Sequence, residues 1–206
     1  GAGDVHIGRA MIDTPGARGV DVFQNTGHVI IDALEVNDAP NEAYRERQSS
    51  AAAHTVLSQL DLLRSGGEAI LVEQHQGRVY IDGGTIDATG ANGILTNDAV
   101  NVTVRGVTLS NIEFNAIDVI ALNVDTVGRI QNNNVVSSAF SGIFFGTGAN
   151  GQGNHLLTVT DNTIAAPTDT LFQVAGIGIV PGPGGVVTLD ISGNTSAGNI
   201  NTPNAY

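Results

Sequence analysis

The residues best suited to chemistry in this sequence are two aspartates and one arginine, placed in multiples of about two dozen residues. Asp32, Asp82 and Arg105 each follow a short run of alternating apolar residues. An aspartate can act as a general acid or base on a sugar, and an arginine can bind the carboxylate of a uronate. Tyr80, two residues before Asp82, adds a ligand-binding candidate. The favoured interpretation of Asp82 and Arg105 is a surface ion pair, and the catalytic role is the alternative.

These residues meet only if the chain repeats, and a degenerate repeat of about two dozen residues runs along it. The clearest copy is VYIDGGTI at 79–86, followed by GANGI at 90–94, and GARGV at 16–20 follows an earlier copy. Each copy alternates apolar and polar residues and is broken by Gly, Asn or Asp, as short strands between turns are. The anchor positions of successive copies are Ile12, Val36, Leu62, Ile86, Leu109, Val135, Ile164 and Ser196.

The repeat predicts an all-β fold, a right-handed parallel β-helix of about eight rungs, formed by 1–206 as a single domain. The hand follows the general rule for parallel connections. Rungs stacked about 4.8 Å apart would place Arg105 beside Asp82 and Asp32 two rungs away, at about 9–10 Å, near the spacing of inverting glycosidase carboxylates. Residues 41–64 are ambiguous. Val56, Leu57, Leu60 and Leu63 fit a helical insertion, although the rung is favoured.

Three Asn-rich turns give the sequence a resemblance to a known superfamily. NNNVVSS at 132–138, DNTIAAP at 161–167 and GNTSAGN at 193–199 resemble turns of the pectin-lyase-like right-handed parallel β-helix superfamily. The resemblance implies a structural Asn ladder inside one turn, formed by Asn134 (or Asn133), Asn162 and Asn194. Buried amides need partners, which adjacent rungs supply.

Motifs of the enzymes in that superfamily are missing from this sequence. It has no Asn-Thr-Asp run or Gly-His-Gly of the polygalacturonase type, no Arg-x-Pro-x-x-Arg of the pectate-lyase type and no Asp-Pro-His-Glu of the epimerase type. Members also include phage tailspikes and surface adhesins, so the fold does not decide the function. An enzyme is therefore the less favoured prediction, and it would be a polysaccharide lyase or glycoside hydrolase.

Composition restricts the partners. The chain of 206 residues has a net charge of -12, no lysine, no cysteine and only 4% aromatic residues. Such a charge disfavours nucleic acid, and no apolar run is long enough for a membrane insertion. No cofactor is predicted, and the scattered histidines lack the pattern of a zinc site. Calcium is a minor possibility where Asp21 could meet Glu73 or Asp118 could meet Asp125.

These observations favour a structural or adhesive segment of a bacterial extracellular or cell-surface protein. Both ends lack a capping helix, which predicts that a longer chain continues there or that subunits stack on the open edges. The alternative is a domain that binds or degrades a polysaccharide, because a shallow face along stacked rungs suits an extended sugar chain.

Overall fold

The computed structural model describes residues 3–148, 152–169 and 175–201, and these form a parallel β-solenoid of about six turns. All regular elements of the described ranges are strands, so no helix among them could span a membrane. In chain order they are β1 Val5–Ile7, β2 Ala10–Asp13, β3 Val20–Phe23, β4 His28–Ile31, β5 Leu34–Asn37, β6 Tyr44–Arg47, β7 His54–Ser65, β8 Ile70–Glu73, β9 Arg78–Thr89, β10 Ile94–Asn97, β11 Asn101–Ile112, β12 Ile117–Ile120, β13 Val127–Gln131, β14 Asn134–Val135, β15 Ile143–Gly146, β16 Gln152–Thr160, β17 Thr163–Ile164, β18 Ile177–Val180, β19 Gly184–Ser192, β20 Thr195–Ser196 and β21 Ile200–Asn201.

Each rung contributes three short segments to two parallel sheets. The first segments stack in the order β1-β4-β7-β9-β11-β13-β16-β19. The second segments are β2, β5, β14, β17 and β20, together with the later halves of β7, β9 and β11, and they belong to the same 13-stranded sheet. The third segments form an 8-stranded sheet in the order β3-β6-β8-β10-β12-β15-β18-β21. This arrangement confirms the predicted all-β parallel solenoid, and its hand stays a prediction.

The predicted repeat register is confirmed at every anchor. Ile12 pairs with Val36, and the pairing then continues in parallel through Leu62, Ile86, Leu109, Val135, Ile164 and Ser196. About six turns replace the predicted eight rungs.

The helical insertion considered for 41–64 is wrong, because this stretch contains β6 and β7. Leu57 and Leu60 both point inward, and between them Gln59 turns a corner with φ 48°. The corner shifts the phase of the alternation by one residue. The two halves of β7, joined by this corner, place inward apolar residues three positions apart, which is also the spacing of apolar residues on one face of a helix.

The interior consists of aliphatic columns, one residue per rung from each inward position. The column of the third segments shows why Val and Ile dominate, since identical branched side chains stack well at the strand spacing. From the first rung to the last it contains Val20, Tyr44, Ile70, Ile94, Ile117, Ile143, Ile177 and Ile200. The six members from Tyr44 to Ile177 are fully buried, and burying each of them stabilises the fold by about 1.5–3 kcal/mol, whereas Ile200 is 48% exposed.

Left-handed backbone conformations mark the corners of each rung. The corner between first and second segments uses Gly83, Gly106 and Asn132, whereas the corner after the third segments uses the non-glycine residues Gln48 and Asp98. Gly84 leaves no room for a side chain, because a Cβ there would lie 2.1 Å from the Leu60 carbonyl oxygen. Stacking with the neighbouring rungs therefore holds residues in a region that L-amino acids usually avoid.

Candidate functional site

The outward side chains of the first segments form the candidate surface. On β9, Arg78, Tyr80 and Asp82 point away from the core, while Val79 and Ile81 point into it. Parallel register places Arg105 of β11 next to Asp82. The alternation of a half-buried strand thus lines up polar side chains rung by rung on one face.

The structure brings three of the four predicted site residues together. Arg105 donates two hydrogen bonds to Asp82, Nε to Oδ1 at 2.8 Å and Nη2 to Oδ2 at 3.0 Å. Its guanidinium carbon lies 5.0 Å from the centre of the Tyr80 ring. The hydrogen bond from Arg105 lowers the pKa of Asp82, so this carboxylate stays ionised and is poorly suited to be a general acid.

Asp32 lies apart from that group and has its own partner. Its Oδ2 is 2.7 Å from Nε2 of His6, one rung below. Ser58 separates Asp32 from Asp82 in the stack, as the predicted register required. Each of the two carboxylates is thus engaged by a basic side chain.

The arginines that form no ion pair with an acidic side chain of the described ranges lie in a groove beside Asp82. Six of the eight arginines form ion pairs with acidic side chains. The other two, Arg78 and Arg129, have no acidic partner among the described residues, which include all eight arginines. Both are exposed, and both line one groove of about 380 Å³. We call it the arginine groove; its lining residues are His54, Arg78, Tyr80, Asn101, Thr103 and Arg129.

The geometry of the arginine groove follows from the strand register. Arg78 lies on β9 and Arg129 on β13, with β11 between them. Their backbones are therefore two strand spacings apart, about 10 Å along the solenoid axis. Asn101 and Thr103 of β11 form the floor between them. None of the lining side chains is a carboxylate, so the groove is a local cationic patch on an acidic protein.

The asparagine ladder runs through Asn133, Asn162 and Asn194. The side-chain oxygen of Asn162 accepts hydrogen bonds from the backbone N and Nδ2 of Asn133, both at 2.9 Å. Asn194 repeats this contact with Asn162 at 3.0 and 2.8 Å. Each Nδ2 also donates to a carbonyl one rung back, on Val104, Ile130 and Val159 respectively.

Asn134 is not part of this ladder. It lies on β14, and its side chain is exposed, whereas Asn133 is 2% exposed. The correction has a simple reason: Val135 is the inward anchor of β14, so the residue before it points outward. The corner residue Asn133, the alternative position in the NNN run, takes the ladder position instead.

Sequence reasoning missed a buried polar cluster around Glu46. This carboxylate is fully buried and accepts hydrogen bonds from the hydroxyls of Tyr44 at 2.8 Å, Ser49 at 2.7 Å and Thr55 at 2.6 Å. Nε2 of the equally buried His75 lies 3.5 Å from Oε1. Nδ1 of His75 accepts the Gly77 N–H, so the ring proton sits on Nε2 and faces Glu46.

Electrostatics hold Glu46 ionised. Burial alone would raise its pKa, but the hydrogen bonds from His75, Thr55 and Ser49 outweigh burial and lower the pKa to about 2. Because Thr55 and Glu46 both face Nε2 of His75, the ring is not arranged as in a nucleophile–base–acid triad. A fully buried cluster with every hydroxyl engaged is suited to fixing one rung rather than to catalysis.

The first pair of carboxylates considered for calcium, Asp21 and Glu73, is not in contact. Asp21 contacts Arg47 and Glu73 contacts Arg45, so arginines separate the first pair. Within the described part of the chain, no group of three or more His, Asp or Glu side chains is placed to hold a metal ion.

Asp118, on the outer face of the 8-stranded sheet, is a buried acid with incomplete pairing. It is 5% exposed; Asn115 donates to its Oδ2 at 2.9 Å, and its Oδ1 has no hydrogen-bond partner in the described ranges. Burial raises its pKa to about 6, and the charge of Glu68 adds to this effect.

We expect Asp118→Asn to stabilise the protein at pH 7.5 by about 1–3 kcal/mol. Because the folded-state pKa of Asp118 is raised, the contribution of this residue to the free energy of unfolding is most favourable below about pH 4. It becomes less favourable as the pH rises to about 6. An asparagine has no such loss, so the variant and the original chain should converge at pH 4. Urea unfolding at both pH values tests this, with the exposed Asp61→Asn as control. A variant that is less stable at pH 7.5 would contradict it.

Comparison with protein-family models, with curated proteins and with solved structures gives no significant match.

Proposed function

We propose that this solenoid is an adhesive segment that binds an acidic polysaccharide in the arginine groove. One observation carries the proposal: the two arginines without an acidic partner line the same groove. On a protein of net charge -12, unpaired cations on one face are free to pair with the anions of a ligand. An uncompensated pair of cations is otherwise unfavourable, because like charges repel.

The shape of the groove favours a chain over a single sugar. The two guanidinium groups are carried two rungs apart, so a ligand that pairs with both must extend across β9, β11 and β13. Hydrogen-bonding side chains, Asn101 and Thr103, lie between the cations and suit sugar hydroxyls. Tyr80 offers a ring to a sugar face, although the guanidinium of Arg105 already covers part of that ring.

Membership of the pectin-lyase-like superfamily and an extracellular or cell-surface location belong to the same proposal. The Asn-rich turns and the parallel solenoid support the proposed membership. A polysaccharide-degrading activity is the weaker candidate, because Asp82 and Asp32 are each held by a basic side chain. A continuing chain or a stacked subunit at either end would extend the same face.

We expect the protein to bind polygalacturonate at low salt and to lose about tenfold in affinity on either Arg78→Gln or Arg129→Gln, since each removes one charge-assisted hydrogen bond. The double variant should bind no better than background. Isothermal titration calorimetry at two salt concentrations measures this, and binding should weaken at high salt because surface charges are screened.

Arg64→Gln is the matched control. Arg64 is ion-paired with Asp38 at a corner outside the arginine groove, and glutamine occurs at similar left-handed corners such as Gln48 and Gln74. The control should keep full affinity. Absence of binding by the unaltered protein, or equal losses in Arg64→Gln and Arg78→Gln, would refute the proposal.

A further inference from the structure

A histidine precedes Arg78 of the arginine groove in the same register column of outward side chains. His54 lines the groove and pairs in register with Arg78 on the next rung. His28 pairs in register with His54 on the other side, and the two rings pack edge to face with centroids 5.7 Å apart. Three successive rungs thus carry His28, His54 and Arg78 at the same outward position.

We infer that His54, supported by His28, is a proton-dependent subsite of the arginine groove, which pairs with a further anionic sugar of the bound chain once the imidazole is charged. The inference rests on the proposed function and deepens it, since it specifies how acidity would regulate the same site. The ligand segment bound at acidic pH would be one rung longer than the segment bound at neutral pH.

The surroundings of His54 are cationic or neutral. Arg78 follows it in the column, His28 precedes it, and the buried His75 lies behind the sheet. Tyr80 and Arg129 are the remaining titratable groups that line the groove. Burial lowers the pKa of His54, and the charges of His28, Arg78 and His75 lower it further. In the free protein the imidazole of His54 is therefore neutral at pH 7.5. It becomes protonated when the pH falls or when a bound anion raises its pKa.

The environment of His28 differs in one respect. Asp4 accepts the His28 backbone N–H at 2.9 Å, and the same oxygen lies 3.8 Å from Nδ1 of the ring. This carboxylate compensates part of a charge on His28 but is separated from His54 by the whole His28 rung. His54 is therefore the residue whose charge is available to a ligand, and His28 has the smaller effect.

Linkage sets the size of the expected effect. If a bound anion raises the pKa of His54 by about one unit, protonation of His54 must strengthen binding about tenfold in return. A polyuronate keeps its charge over the same range, because its carboxylates titrate well below pH 5. The pH dependence then reports on the protein and not on the ligand.

The test measures the affinity of an oligogalacturonate at pH 5.5 and pH 7.5, together with the histidine pKa values by NMR with and without the ligand. Because neither pH value reaches a fully charged or a fully neutral His54 in both states, we expect about fivefold tighter binding at pH 5.5, a ligand-induced rise in the pKa of His54, and loss of the pH effect in His54→Gln. His6→Gln is the control, because His6 is already paired with Asp32.

The outcomes separate the two proposals. If Arg78→Gln weakens binding at pH 7.5 but His54→Gln leaves the pH dependence intact, the histidine subsite is refuted and the arginine groove stands. If the pKa of His54 does not move on saturation with ligand, the subsite is likewise refuted. If the unaltered protein binds at neither pH, the proposed function fails first, and the inference that rests on it fails with it.

Discussion

Replacing Glu46 by alanine is expected to destabilise the protein by about 3–5 kcal/mol. The substitution removes the acceptor of three buried hydroxyl donors and leaves Nε2 of His75 facing a void. Each buried donor left without a partner costs about 1–3 kcal/mol, and the lost volume adds a cavity. The value is below the sum of these terms because the hydroxyls can turn toward each other.

Glu46→Gln isolates the contribution of the charge. A folded-state pKa of about 2 lies below the usual value of 4.5, so the carboxylate adds stability above about pH 4.5 and loses it as the pH falls through 2. The difference between these two pKa values corresponds to about 3 kcal/mol at pH 7. Glu46→Gln should therefore be less stable than the original chain by up to about 3 kcal/mol at pH 7, and the gap should close near pH 2.

Urea unfolding followed by far-ultraviolet circular dichroism at several pH values measures both variants. Glu35→Gln is the matched control, because Glu35 pairs with Arg9 at the surface and such exposed pairs contribute 1 kcal/mol or less. A gap between Glu46→Gln and the original chain that stays constant down to pH 2 would contradict the role of the charge. A loss in Glu46→Ala no larger than in Glu35→Gln would contradict the role of the cluster.

The repeat could be predicted from the sequence because its inward positions are chemically uniform. Ile12, Val36 and Leu62 are aliphatic residues at near-constant spacing, and aliphatic columns are what stacked rungs require. Register then followed without further information, including the contact of Asp82 with Arg105. The ambiguity at 41–64 arose where a left-handed corner at Gln59 interrupts the alternation inside one continuous strand, which composition does not reveal.

The Glu46 cluster could not be predicted from the alternation of apolar and polar residues. In the sequence Tyr-Arg-Glu-Arg of β6, alternation places Tyr44 and Glu46 on the inner face, yet a carboxylate in an aliphatic column contradicts the usual pattern. Its partners Thr55 and His75 come from a different segment and a later turn, so only the three-dimensional structure brings them together. No local spacing could have signalled it.

The arginine groove could not be predicted, because the sequence does not show which arginines form ion pairs with acidic side chains. Arg78 and Arg129 look no different from Arg105 in the alternating pattern of their strands. What distinguishes them is that the structure pairs Arg105 with Asp82 and places Asn101 and Thr103 between the other two arginines. Site prediction from sequence therefore included Tyr80, which lines the arginine groove, but neither Arg78 nor Arg129.

The asparagine ladder gives the second large effect. Asn162→Asp is expected to destabilise the protein by about 3–5 kcal/mol at pH 7, more than Asn162→Ala. The native Nδ2 donates to Ile130 O at 2.9 Å, Thr160 O at 3.0 Å and Asn194 Oδ1 at 2.8 Å. A carboxylate cannot donate, so it would face these three oxygens as a buried charge. Alanine leaves the same groups unpaired but adds no charge.

Asn134→Asp is the control that distinguishes the two positions of the NNN run. Its side chain is exposed, so the added charge should change the free energy of unfolding by less than about 0.5 kcal/mol. Lowering the pH should partly rescue Asn162→Asp, because protonation removes the buried charge and restores one donor. Equal losses at 134 and 162, measured by urea unfolding, would mean that stacking of the amides does not stabilise this turn. A large loss confined to 162 and relieved by acid would instead identify the ladder as the element that joins the rungs of β11, β14, β17 and β20.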